Sequence, residues 1–194
     1  VASLHEYKRL ATKLIASNPS KPEWQMEGIY ADTNLGILLL ESGPYGEAAT
    51  VFEYSLVDRE KLAANAPDDV QFRKALISVL AWLAEAREKE GRLDDGLAQR
   101  ERQISLLQPY INDTKSDAQY RREALVAYRA AGRLNTVRGN PSDGLEQLRT
   151  AVRIGEELTE AEPQNTDWAA MAAYAKFELA RFELAQRNID QAAA

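Results

Sequence analysis

The chain has 194 residues, of which 45% are hydrophobic and 28% charged, and its formal net charge is -6. This balance is typical of a folded soluble chain rather than a disordered one, and the negative charge argues against nucleic-acid binding, which usually needs a basic surface. No apolar run approaches the roughly 18 residues of a membrane-spanning helix, so we expect no direct membrane insertion, and the absence of cysteine excludes disulfides and thiolate chemistry.

An internal repeat of 48 residues organises the sequence. Six columns of matching residues share this register across nearly the whole chain, and so many coincident columns indicate a repeat architecture. The aromatic column is Trp24, Phe72, Tyr120 and Trp168, and the two small-residue columns are Gly36, Ala84, Gly132, Ala180 and Ala48, Gly96, Gly144, Ala192. The other three are Leu35, Leu83, Ala131, Leu179, then the turn column Gly43, Gly91, Gly139, Arg187, and the proline column Pro19, Pro67, Lys115, Pro163.

Taken in chain order, the predicted elements are pairs of α-helices. Residues 1–18 align with 49–66 and are predicted to be the second helix of a preceding repeat. Repeat 1 spans 19–66, repeat 2 spans 67–114, repeat 3 spans 115–162, and residues 163–194 begin repeat 4. Apolar or small residues at 24, 28, 31, 35 and 38 form one helical face in the first helix of repeat 1. Second helices are predicted at 46–65, 94–112 and 142–161.

Each predicted first helix begins after a capping residue and ends at the turn column. The capping residues are Ser20, in the capping box SKPE, and Asp69, Asp117 and Thr166. The turn glycines are expected to end the helix in a conformation that L-residues resist. Gly96 and Gly144 alternate with alanine, so we expect that column to need small size, which lets the two helices of a hairpin approach closely. The predicted fold is all-α, an α-solenoid of antiparallel helix pairs with seven or eight helices.

The repeat resembles the tetratricopeptide repeat. The segments LGILLLESGPYGEA (35–48) and LAEAREKEGRLDDG (83–96) carry its pattern, with a small residue after Leu, Gly seven residues later and a small residue five beyond. The usual unit has about 34 residues, so these helices are about two turns longer each. The chain is similar to the long-period variant of multidomain bacterial signalling proteins. That resemblance implies a right-handed superhelix, a neighbouring effector domain and a concave first-helix face that binds peptides or partner helices.

The repeat frame places both chain ends inside repeats. We therefore expect a segment of a longer array, excised from a larger multidomain protein with a signalling or regulatory role. We expect a cytoplasmic location, and a periplasmic one stays open because a signal or anchor could lie upstream of Val1.

No constellation of residues indicates catalysis or a cofactor. His5 is the single histidine and, without cysteine or a second histidine, cannot build an ordinary transition-metal site. The segment GNPSDG (139–144) lacks the lysine and the preceding strand of a phosphate-binding loop. Carboxylate pairs such as Glu156–Glu157 are common on solvated helix faces. The sequence predicts a non-enzymatic chain with no cofactor and no metal.

The aromatic column is expected to belong to the core, because it lies on the face that packs. Trp82 stands outside that column, since residues 34, 130 and 178 are not aromatic. It is interpreted either as a groove-lining contact or as a filler between helices.

The candidate binding surface lies on the first helices at positions 26, 30, 33 and 37 and their equivalents. In repeat 1 this surface is apolar, with Met26, Tyr30 and Ile37. In repeats 3 and 4 it carries an arginine strip, defined as Arg122, Arg129, Arg133 and Arg181, with Tyr174 and Phe177 beside it. Arginine can hold a carboxylate bidentately. The alternative is that Glu85 and Glu178 neutralise the strip through ion pairs between repeats.

Three classes of function follow from this reading. The first is a scaffold that binds a protein or an acidic peptide through the concave face, although the Lys and Asn carboxylate-clamping pattern of the family is not present. The second is a self-association arm that oligomerises the parent protein. The third is an all-helical enzyme, which no residue pattern supports.

Overall fold

Turns marked by glycine, proline or aspartate separate the chain into helices. The structure, a computed structural model, describes residues 2–111 and 117–193, with the backbone alone for 188–193. Within this part it contains eight α-helices and no strand: α1 (Ala2–Ser17), α2 (Pro22–Ser42), α3 (Tyr45–Asn65), α4 (Val70–Lys89), α5 (Leu93–Ile111), α6 (Ala118–Val137), α7 (Pro141–Ala161) and α8 (Thr166–Ala193). The predicted all-α fold is confirmed, and α3, α5 and α7 lie where second helices were expected. Lys115 and the side chain of Ala192 lie outside the described residues.

Glycine in the left-handed region ends three of the first helices. The φ angles are 104° at Gly43, 81° at Gly91 and 84° at Gly139, a conformation that costs L-residues free energy but not glycine. Only two or three residues separate the paired helices at these turns, so each pair runs antiparallel. The expected turn at Arg187 is wrong, because α8 continues through that position. Arginine has no comparable access to the left-handed region, so it does not end the helix there.

Two of the four predicted capping residues cap their helices in the structure. The carboxylate of Asp69 accepts from the backbone N–H of Gln71 and Phe72 at 2.8 and 3.1 Å, and Asp117 caps α6 in the same way. Ser20 is not the cap of α2, because Pro22 opens that helix and leaves Lys21 at the cap position. Thr166 is already inside α8.

The cap of α8 is Asn165. Its side-chain oxygen accepts from the N–H of Asp167 at 3.2 Å and of Trp168 at 3.3 Å. An oxygen on a short side chain reaches the N–H groups two and three residues ahead, and Asn165 stands at that distance from the open first turn.

Small residues allow the helices of each hairpin to touch. A Cβ atom added at Gly36 would lie 2.4 Å from the Phe52 ring, so this ring packs directly on the backbone of α2. The contact is closest between α6 and α7, where a Cβ at Gly132 would lie 3.0 Å from the Gly144 carbonyl oxygen and one at Gly144 would lie 2.9 Å from the Gly132 carbonyl oxygen. The expected role of the small-residue columns is confirmed at these positions.

The helices pack in chain order within two compact units, Val1–Gln99 and Arg100–Ala194. In the first unit α1 packs on α2, α2 on α3 and α3 on α4, and α2 also meets α4. In the second unit α6 packs on α7, α7 on α8, and α6 also meets α8. Within each unit the helices named here thus contact their neighbours along the chain, and the two first helices of each unit contact each other. This sequential packing is the α-solenoid arrangement.

Arg59 is a buried arginine that joins three helices, and no sequence pattern singled it out. It is 2% exposed. Its guanidinium donates to the Ala75 carbonyl oxygen on α4 at 2.9 Å, to the Ile29 carbonyl oxygen on α2 at 3.1 Å and to the Ser55 hydroxyl on its own helix at 3.1 Å. Burial lowers the pKa of Arg59 to about 10, so the group stays charged at neutral pH. A buried charge needs such partners.

The aromatic column divides between full and partial burial. Phe72 and Tyr120 are buried, and the Tyr120 ring stacks on that of Tyr110 with centroids 4.2 Å apart. Trp24 and Trp168 are half-buried. The ring of Trp82 stacks on that of Phe52 at 6.5 Å, so Trp82 fills space between α3 and α4.

We expect Gly144→Ala to destabilise the protein by about 1–3 kcal/mol, as overpacking does. The added Cβ would lie 2.6 Å from the Thr136 hydroxyl and 2.9 Å from a backbone carbonyl oxygen. The matched control is Gly96→Ala, whose Cβ first meets the flexible side chain of Glu88 at 3.0 Å. It should stay within about 1 kcal/mol, because alanine favours the helix. Urea unfolding of both variants measures the difference, and equal losses would contradict the close contact.

Tyr120→Ala should lower the free energy of unfolding by about 3–5 kcal/mol, as other large-to-small core changes do. Tyr120→Phe keeps the ring and should lose far less. Thermal or urea unfolding of the two variants gives the comparison. A stability unchanged in Tyr120→Ala would mean that the ring does not contribute to the core.

Candidate partner-binding face

The arginine strip and its two aromatic neighbours lie on two helices of the second unit. Arg122, Arg129 and Arg133 are on α6, where steps of seven and four residues keep them on one side. Tyr174, Phe177 and Arg181 are on α8. Because α6 and α8 contact each other, residues that are about fifty positions apart in sequence share one surface.

Two arginines of the strip lie against exposed aromatic rings. The guanidinium carbon of Arg129 is 5.8 Å from the centroid of the Tyr174 ring, which joins α6 to α8. The guanidinium carbon of Arg181 is 5.7 Å from the centroid of Phe177, one turn earlier on α8. Tyr174 is 62% exposed and Phe177 57% exposed. Arginine and aromatic residues are the types most enriched at the energetic centres of protein interfaces.

Glu178 is an acidic side chain of this surface that lies near the strip, at Arg129. Its Oε2 is 3.8 Å from Nε of Arg129, and the two side chains are 25% and 28% exposed. This distance is longer than a hydrogen bond, so the pair is loose and neutralises Arg129 only in part. Arg122 and Arg181 have no ion pair with any residue that the structure describes. The expected alternative of inter-repeat pairing is therefore present at Arg129, whereas Glu85 lies 3.9 Å from Lys89 on its own helix.

A groove opens between the C-terminal end of α6 and the middle of α8. We call it the α6–α8 groove; it holds about 330 Å³ and is lined by Arg133, Thr136, Val137, Leu148, Glu178, Arg181, Phe182 and Ala185. Leu148 and Phe182 are buried and form its floor, whereas Val137 is 65% exposed. The groove thus combines an apolar floor with a rim that carries two arginines and one glutamate.

The residues at the apolar end of the predicted surface differ in exposure. Met26 packs against the buried cluster of Ile29, Phe72 and Ala75, so much of this side chain serves packing between helices. Tyr30 is 49% exposed, and Ile37 is half-buried. The structure gives this end a single large exposed side chain instead of a continuous apolar surface.

The other chemical candidates show no assembled site. His5 is exposed on α1, and residues 139–144 form the end of a turn and the first turn of α7. The described residues hold no group of three or more His, Cys, Asp or Glu side chains placed to bind a metal ion. In the same part of the chain, no helix combines the length and the apolar character needed to cross a membrane.

The arginines of the groove were predicted from the sequence, whereas its apolar residues were missed, although a signal for two of these exists. The predicted surface ended at position 37 and its equivalents. One further helical turn leads to Val137 on α6 and Ala185 on α8, which occupy the same position of the repeat. The same step therefore brings both walls of the groove into the predicted surface. Phe182 and Leu148 enter the groove from the packed side, which the surface pattern does not reveal.

Comparison with known proteins gives a distant structural likeness for this chain. No protein-family model matches it, and no curated protein matches it. Among solved structures, the chain is similar to the crystal structure of BtubC (BKLC) from P. vanneervenii, at a TM-score of 0.47 and 16% identity over 99% of this chain and 87% of that chain. So distant a likeness says nothing about what either protein binds.

A double-mutant cycle on Arg129→Ala and Glu178→Ala should give a coupling energy of about 0.2–1 kcal/mol, the range of partly exposed ion pairs. The reason is the 3.8 Å separation of the two charged groups. Urea unfolding of the two single variants and the double variant measures it. A coupling well above this range would mean that Glu178 already holds Arg129 tightly and leaves it little capacity for a ligand.

Proposed function

We propose that this protein is a non-catalytic scaffold that binds an acidic segment of a partner protein on the surface shared by α6 and α8. The observation that carries the proposal is the pairing of exposed rings with strip arginines, Arg129 with Tyr174 and Arg181 with Phe177. Aromatic side chains that lie beside arginines on a protein surface have the composition typical of interface centres. Arginines stacked on them keep their N–H groups available for a carboxylate.

The charge of the surface favours an acidic peptide as its partner. The strip has four arginines, of which Arg122 and Arg181 have no ion pair with any described residue, in a chain whose net charge is -6. This local positive charge attracts carboxylates, and the guanidinium fork binds them with defined geometry. The same overall negative charge opposes binding to nucleic acid.

The affinity of such a surface is expected to be modest. Exposed ion pairs contribute about 0.2–1 kcal/mol each, and exposed cation–π contacts contribute a similar amount. Several of them together, with the two rings covered by the peptide, support micromolar binding. Because much of this energy is electrostatic, binding should weaken as salt rises.

The likeness of the repeat to tetratricopeptide repeats supports the same role. In the long-period bacterial arrays that the sequence resembles, the repeats accompany an effector domain, so our proposal includes regulation of such a domain. It also includes a cytoplasmic location, which fractionation of cells would test.

A self-association arm is the second candidate function. Leu10 is 47% exposed and Leu14 40% exposed, one turn apart on α1, and exposed leucines on one face favour contact with another apolar surface. Light scattering across a concentration series tests this function. A molecular mass that rises with concentration would favour it over the scaffold.

Reversing two arginines of the strip should abolish binding to acidic peptides. We expect Arg129→Glu with Arg181→Glu to lower the affinity for labelled Glu-rich peptides at least tenfold in fluorescence polarisation at low salt. The matched control is Arg149→Glu with Arg153→Glu, which changes the net charge equally on exposed positions of α7.

Equal loss in both double variants would mean that the net charge of the chain, and not this surface, attracts the peptides. No binding by the unmodified protein to any acidic peptide would contradict the proposed function itself.

A further inference from the structure

We propose that the α6–α8 groove is an anchor site for one bulky apolar side chain of the bound segment, of the size of Leu, Ile, Met or Phe. This inference rests on the proposed function, because the anchor belongs to the same peptide. It adds a specificity that charge alone cannot supply: the partner must carry such a side chain within about two residues of the carboxylate that the arginine strip binds.

The walls of the groove have the chemistry of an apolar site. Its floor is made by Leu148 and Phe182, which are 2% and 6% exposed. Val137 and Ala185 form the two sides, and both are exposed. The Thr136 hydroxyl donates to the Gly132 carbonyl oxygen at 2.8 Å, so it is already used within α6. A side chain that fills this space removes apolar surface from water on both partners.

The volume of the groove is large enough for one bulky apolar side chain. It holds about 330 Å³, at the lower end of the range of about 300–1,000 Å³ for small-molecule sites. It is also open along one side, where the exposed part of Val137 lies. An extended peptide can therefore pass over the groove and place one residue in it, as happens where alternate side chains enter pockets.

Arg181 sets the distance between the anchor and the carboxylate. This residue lines the groove and also lies over the ring of Phe177, so it belongs to both parts of the surface. An extended chain advances about 3.3 Å per residue. A carboxylate bound by Arg181 and a side chain inside the groove must therefore come from residues that are close neighbours in the peptide.

Charge complementarity selects an acidic partner segment as the occupant. Arg181 stands at the rim of the groove and has no ion pair with any residue that the structure describes, which places a positive charge beside an apolar floor. A basic or purely apolar segment would leave that charge unmatched. A second copy of this chain is the competing occupant, and the experiment separates the two.

The test uses a set of labelled peptides that differ at one position. Each carries the same glutamates, and the residue next to the central glutamate is Leu, Phe, Ala or Lys. With the unmodified protein, fluorescence polarisation should give about tenfold tighter binding for the Leu and Phe peptides than for the Ala peptide, in keeping with the discrimination of apolar pockets. The Lys peptide should bind most weakly.

Filling the groove should remove this preference. Ala185→Trp places a large ring at the exposed wall, and we expect the Leu and Ala peptides to bind equally to it, while binding stays sensitive to salt. The matched control is Ala173→Trp, at an exposed position of α8 that does not line the groove, and it should keep the tenfold preference. Circular dichroism melting checks that both variants fold.

The outcomes separate the inference from the proposed function. If the unmodified protein binds the Leu and Ala peptides equally, and Arg129→Glu with Arg181→Glu abolishes that binding, the anchor is wrong and the acidic-peptide scaffold stands. If no peptide binds, both are wrong. If sedimentation shows a dimer that Ala185→Trp disrupts, a second copy occupies the groove and the partner-segment inference is overturned. The peptide comparison on the unmodified protein decides the question even where a variant fails to fold.

Discussion

The close contact between the backbones of Gly132 and Gly144 is the constraint on which the α6–α7 hairpin and the surface beside it depend. Gly132 and Gly144 each lie so close to the carbonyl oxygen of the other that a Cβ atom at either position would overlap it. Helices that approach so closely are held in one register, because a shift along the axis brings larger side chains into the contact. The left-handed glycine turn at Gly139 then fixes where α7 begins. Close helix contact and turn geometry therefore act together, and the side chains around them pack onto a frame that the backbone already defines.

This frame decides where the chemistry of the surface appears. With α7 held tightly against α6, and α8 packed on both, the first helices α6 and α8 lie side by side. Their outward faces bring Arg129 beside Tyr174.

In the first unit a buried charged side chain joins the packed helices. The guanidinium of Arg59, on α3, donates hydrogen bonds to carbonyl oxygens of α2 and α4. Leucine stands at the equivalent position 107 of the repeat and is fully buried. This position of the repeat thus accepts either an apolar side chain or a polar one whose buried polar groups are hydrogen-bonded.

Glu178 is an internal competitor for the ligand that we propose. A carboxylate 3.8 Å from Arg129 lowers the repulsion among the strip arginines in the free protein, and in the proposed complex the carboxylate of the ligand replaces it. Such an arrangement favours ligands that bring something besides charge, because charge alone replaces one weak ion pair with another. The exposed rings of Tyr174 and Phe177 and the apolar floor of the α6–α8 groove offer that additional contact. Specificity on this surface would come from the combination of the two.

The sequence by itself determined the features that depend on residues within one turn or one repeat. The 48-residue period, the helical faces, the left-handed turns at Gly43, Gly91 and Gly139 and the Asp69 cap all follow from local backbone preferences and regular spacing. The predictions at Arg187 and Ser20 were wrong. Arg187 occupies the turn position of the repeat but lacks the backbone freedom of glycine, so α8 continues through it. Pro22 sets the start of α2, so Lys21 and not Ser20 is at the cap position. Only the tertiary structure decided that Trp82 packs on Phe52, that Met26 joins an interhelical cluster and that Glu178 lies near Arg129. These contacts depend on the separation and rotation of whole helices, which small differences in side-chain volume at the packed faces set.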